Sequence, residues 1–136
     1  MFKKTIAMGL IAGLSMGAFA VPASAHHSAA MFNPDAQMTL TGTVTKFDYL
    51  NPHSWLYMNV KNEDGTVTEW GFELDAPPRL RRVGVGPQKW VEGDVILVRT
   101  NPLRDGRPAG SLVGAHRSDG DKHGNTTEIP EPPVIE

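Results

Sequence analysis

The residues of this 136-residue chain best suited to chemistry are its histidines, His26, His27, His53, His116 and His123. The first two directly follow Ala23-Ser24-Ala25, the small-residue pattern at which a signal peptidase cuts after an apolar run. Cleavage after Ala25 makes His26 the new N-terminus, so one residue offers an α-amine and an imidazole nitrogen to a metal ion. A further imidazole completes a three-nitrogen set, and that ligand type suits Cu(II). His27 and His53 are the candidates to assist, with His116 as an alternative partner on a strand expected to lie beside the first. Taken alone, His53 reads as a corner residue that stacks on Trp55 or Tyr49 or caps a backbone group. His116 and His123 are otherwise expected in solvent.

A second chemistry sits in the same neighbourhood. Trp55 and Tyr57 follow His53 at alternate positions, and with Trp70 they can form a stacking platform for a sugar, a peptide or an envelope protein. The carboxylates Glu69, Glu73 and Asp75 alternate with Trp70, Phe72 and Leu74, which fits a solvent-facing strand edge better than a glycosidase pair. Residues 26–136 contain no G-x-S-x-G, H-E-x-x-H or P-loop pattern, and no catalytic constellation emerges. The chain has no cysteine, which removes thiolate metal sites, redox pairs and cysteine nucleophiles. A non-enzymatic binding protein is the expectation.

Residues 1–25 read as a signal peptide: Lys3 and Lys4 lead an apolar run from Thr5 to Val21, shorter than a membrane span of about 20 residues. The expected mature chain keeps 111 residues, is exported to the periplasm or beyond, and is not embedded in the membrane. Without Lys3 and Lys4, 11 basic residues face 15 acidic ones, a net charge of −4 that argues against nucleic-acid binding.

Residues 26–37 lack a clear period, contain Asn33-Pro34-Asp35, and read as an extended N-terminal arm. Residues 38–117 carry the folded domain. Met38 to Tyr49 is strand-like but changes phase: Leu40, Gly42 and Val44 share one face, Phe47 and Tyr49 the other. A one-residue bulge near Thr45-Lys46 turns both sets inward. Asn51-Pro52 predicts a type I or II turn into a second strand, Trp55 to Lys61. Asn62-Glu63-Asp64-Gly65 then predicts a hairpin to a third strand, Thr66 to Leu74. A short helix at Arg79–Val83, a buried strand at Val95–Val98 and a fifth strand at Gly110–Arg117 follow. Residues 118–136 read as a mobile, proline-rich tail. Three strands, a short helix and two strands make an all-β, five-stranded Greek-key barrel of the OB type.

The reach from His26 to His53 looks tight on this plan. The first strand spans roughly 36 Å at about 3.3 Å per residue. An arm running straight back along it covers that distance, whereas a looped arm falls short.

The combination of an Ala-His-His-Ser start, Leu40 to Thr45, Asn51-Pro52-His53-Ser54-Trp55, Trp70-Gly71-Phe72-Glu73 and Asn101-Pro102-Leu103 resembles a domain-of-unknown-function family of small exported bacterial proteins. The resemblance implies an extracytoplasmic β-barrel domain and no established activity.

Overall fold

The computed structural model describes residues 29–126, and the expected signal peptide, His26 and His27 lie outside them. Strands β1 (Met38–Asp48), β2 (Ser54–Lys61) and β3 (Val67–Leu74) form an antiparallel meander. Helix α1 (Pro77–Arg82) leads to β4 (Val95–Pro102) and β5 (Ala109–Arg117), and a short β6 (Lys122–Gly124) ends the series. The sheet order is β3-β2-β1-β4-β5-β6, and a parallel pairing of β3 with β5 closes the first five strands into a barrel. That connectivity is the five-stranded Greek-key arrangement expected from the sequence. Among the described residues, no helix is long and apolar enough to cross a membrane.

The phase change in β1 is a bulge. Val44 pairs with Met58 and Lys46 with Tyr57, which leaves Thr45 as the extra residue. Val44 thereby stays in the core and Phe47 still packs against it. The core is filled from alternate positions of each strand: Leu56, Met58 and Val60 from β2, Phe72 and Leu74 from β3, and Ile96 and Val98 from β4. Leu97 is buried as well, so the continuous apolar run of β4 is covered on both sides.

One barrel end is plugged by α1 and the connector after it. Six residues are too few for a stable isolated helix, and packing must hold them. Pro77 and Pro78 open the helix, and Gly84, at φ 80°, ends it. The Val85 N–H donates to the Leu80 carbonyl and the Gly84 N–H to Arg81, a Schellman cap whose two apolar partners, Leu80 and Val85, are both buried. Trp90 joins them, with its ring edge-on to Phe47 at 5.1 Å. The Tyr49 hydroxyl lies within hydrogen-bond distance of the Pro77 carbonyl (3.0 Å) and the Val85 carbonyl (2.9 Å), tying the end of β1 to this plug.

Five expectations are corrected. The Asn51–Pro52 peptide is cis, not the trans bond of a type I or II turn. β5 does not lie beside β1: it pairs with β4, β3 and β6. His116, expected in solvent, is only 1% exposed, beside Leu97 in the register. Part of the expected tail is a strand, because β6 pairs with residues 114–116 of β5. Side chains hold that strand in place: Lys89 Nζ lies 2.7 Å from Asp121, and Arg117 bridges to Asp119 at 2.8 Å while donating to the Lys89 carbonyl. His123 on β6, likewise expected in solvent, is half-buried, edge-on to Trp90 at 5.7 Å.

Two outcomes follow from this packing. A Cβ at Gly110, where β5 meets β3, would collide with Thr100 Oγ1 and lie 2.5 Å from the Asn101 carbonyl oxygen. Gly110→Ala is therefore expected to lower stability in urea titration by about 1–3 kcal/mol. Burial, with Lys89 nearby, lowers the pKa of His123 below the usual histidine range. The unfolded chain then takes up this proton first, near pH ~6.5, so stability falls as the pH drops through that value towards the lower folded pKa. His123→Phe keeps an aromatic edge on Trp90 and is expected to flatten this part of the Tm–pH curve.

Candidate functional site

The register of the β2–β3 hairpin decides what stands beside His53. Counting back from the Asn62–Gly65 turn pairs Trp55 with Glu73 and Ser54 with Leu74, so His53 emerges next to the Glu73 carboxylate. The two side chains are joined through His53 Nδ1 and Glu73 Oε1. The Glu73 side chain is only 11% exposed and that of His53 39%, so the carboxylate sits beneath a ring that faces outward. When Nδ1–H donates to the carboxylate, Nε2 is the ring nitrogen that can bind a metal. This carboxylate–histidine arrangement is the one that orients metal-binding imidazoles.

His53 and Glu73 line two adjoining clefts. One, of about 310 Å³, also takes in Asp75, Ser111, Leu112, Phe32 and Ala29. The other, of about 230 Å³, adds Pro52 and Trp55. Ala29, the first described residue, thus reaches the cleft that holds His53. The arm, expected to be extended, is looped in its described residues: the Asn33 side chain accepts from the Asp35 N–H and caps a short 3-10 turn. A looped arm reaches the cleft because its path runs around the barrel rather than back along β1. Trp55, Glu73, Ser111 and Asn101 form one cross-strand row through the closing β3–β5 pair. Phe32 bridges to Leu103 just beyond the end of that row.

The other sequence candidates divide. Trp55 is brought to His53 and Glu73, while Tyr57 lies one row further on. The Trp55 and Tyr57 rings are 6.3 Å apart and nearly parallel, and both lean over Gly71, where a Cβ would meet Tyr57 at 3.3 Å. Lys46 Nζ sits 5.0 Å above the Tyr57 ring. These contacts give both rings a structural task in covering a glycine on the outer face of the sheet. The three carboxylates are separately engaged: Glu69 accepts from the Thr45 hydroxyl, Glu73 holds His53, and Asp75 pairs with Arg79 at 3.1 Å. Ser111 Oγ accepts from the Asn101 side-chain amide. Met58 is core, and Met31 and Met38 belong to the arm and its junction with β1. Among the described residues no group of three or more histidine or acidic side chains is placed to hold a metal.

Glu73, expected to face solvent, is instead largely buried against His53, and its role beside that ring is what sequence reasoning missed. Its signal was present, since the Asp64-Gly65 turn sets the register that pairs Trp55 with it. Ser111 and Ala29 had no comparable local signal, because closure of the barrel brings them in.

A family model of unknown function matches residues 15–112, a span that includes the arm, the positions of His26 and His27, and the Asn-Pro-His corner. The chain belongs to that family, DUF6152. No curated protein and no solved structure matches the chain. In this DUF6152 chain the matched span ends one residue after Ser111, so it includes every residue that lines the two clefts.

The His53–Glu73 bond can be measured without any ligand. A double-mutant cycle of His53→Ala and Glu73→Gln, read by urea denaturation, is expected to give a coupling of about 1 kcal/mol. Additive single effects would show that the pair contributes nothing as a unit.

Proposed function

We propose that this DUF6152 protein is exported and, once cleaved after Ala25, binds copper through His26. The α-amine and imidazole of His26 supply two nitrogens, and His53 supplies the third through Nε2. His27 is the reserve imidazole on the same arm. The observation that carries the reading is the meeting of Ala29 with His53 and Glu73 in one cleft. His26 lies three residues before Ala29, a distance that extended chain spans at up to about 10 Å. The nitrogen-rich donor set fits Cu(II), and the Glu73 carboxylate stands where it would orient the His53 ring for a metal. Bound copper would act as a Lewis acid or a one-electron centre, and the chain's own part is to bind and orient it.

A second reading is a metal-free module that takes a sugar, peptide or envelope protein beside Trp55. Its support is the smaller cleft, which Trp55 shares with Pro52, His53 and Glu73.

The test is the intact mass of the exported protein, followed by Cu(II) titration. The expected mass is that of a chain beginning at His26, with one tight Cu(II) equivalent. Losing a ligand weakens metal binding at least as much as losing the carboxylate behind it, so His26→Ala and His53→Ala are each expected to weaken binding by about a hundredfold. Tight binding indifferent to both substitutions would sink the site, and no binding at all would leave the second reading.

A further inference from the structure

Besides the packing of its Pro34–Ala36 turn on β4, the arm is fastened at the end of β4 and the loop that follows it. Phe32 is 8% exposed and bridges to Leu103, which is equally buried. The Asn33 N–H donates to the Pro102 carbonyl at 2.8 Å, and the Arg104 N–H donates to the Met31 carbonyl at 3.0 Å. The Arg104 guanidinium adds a bond from Nε to the Ala30 carbonyl at 3.0 Å. Phe32 and Leu103 stand outside the main core cluster, so this contact is a separate fastening and not part of the barrel's own packing.

We propose that Phe32 and Arg104 are positioning residues that fasten the arm to the β4–β5 loop and hold the processed N-terminus at the His53–Glu73 cleft. This deepens the Cu(II) reading and rests on it for its metal-binding consequence. With the fastening in place, the anchor at Phe32 lies six positions after His26, a tether of at most about 21 Å. Without it, the tether lengthens towards the start of β1 at Met38, doubling to twelve positions if the Pro34–Ala36 turn also leaves β4. Effective concentration falls roughly as the −3/2 power of tether length, about threefold for this doubling, and the direction of approach is lost as well. Neither residue touches the metal in this scheme. Both act through the placement of His26.

Two measurements test it. In Cu(II) titrations of the mature chain, Phe32→Ala and Arg104→Ala are each expected to weaken binding by about threefold to tenfold. Phe32→Leu should restore most of the loss. In a His53→Ala background the same two changes should have no effect, because the remaining His26 chelate is local to the arm. An equal loss in both backgrounds would overturn the positioning role. The second measurement needs no copper. The chain has no cysteine, so Ser28→Cys gives a single site for a nitroxide label. The label is expected to broaden the backbone amide signals of His53 and Glu73, and Arg104→Ala should relieve that broadening. Arg104 is exposed, so this variant leaves the core intact even if Phe32→Ala fails to fold. Broadening unchanged by Arg104→Ala would overturn the proposal. Broadening that responds to it in a protein without copper affinity would uphold the fastening and end the Cu(II) reading alone.

Discussion

The parallel pairing of β3 with β5 is the constraint on which the rest of the molecule depends. It is short, with Gly71, Phe72 and Glu73 opposite Ala109, Gly110 and Ser111. It converts an open meander into a closed barrel, and it needs a residue without a side chain at Gly110, where the β4 backbone and Thr100 leave no room. The same three pairs carry Ser111 to Glu73, and through Glu73 to His53. Barrel closure and site assembly are therefore one event: a chain that failed to close would lose the large cleft along with its core.

Closure also explains why the chain's two ends of interest meet. Distance along β1 suggests that the arm and the Asn-Pro-His corner are far apart. Distance around the barrel is short, because each step across the sheet is only about 4.8 Å. The arm leaves β1 beside the end of β4, crosses at Leu103, and arrives next to residues of β5 and β3. A looped arm serves this route better than a straight one would.

What was legible in the sequence was local. The bulge at Thr45 shows as a phase change between Val44 and Phe47, the hairpin as Asp64-Gly65, and the doubly covered strand as an unbroken apolar run from Val95. What was not legible depends on partners distant in sequence. Trp90 looks like a connector residue until α1 folds beneath it to plug the barrel. His116 alternates like a solvent-facing residue, yet it sits beside Leu97 on a face that is covered. The residues after Arg117 have the composition of a tail, and a short strand forms there because Lys89 and Arg117 supply charges for Asp119 and Asp121. The Glu73 partnership with His53 falls between these cases: a turn sets it, but it is read only by counting the register through.

β6 also bears on how the molecule behaves among its own copies. β3 covers the edge of β5 at residues 109–111, and β6 takes up the same strand at residues 114–116. An uncovered edge of that length would present a row of unpaired backbone donors and acceptors, a template on which a second chain could add a strand. The three residues Lys122, His123 and Gly124 replace that template with an edge too short and too polar to recruit one. By this account the least conspicuous strand of the fold helps to keep the barrel from polymerising.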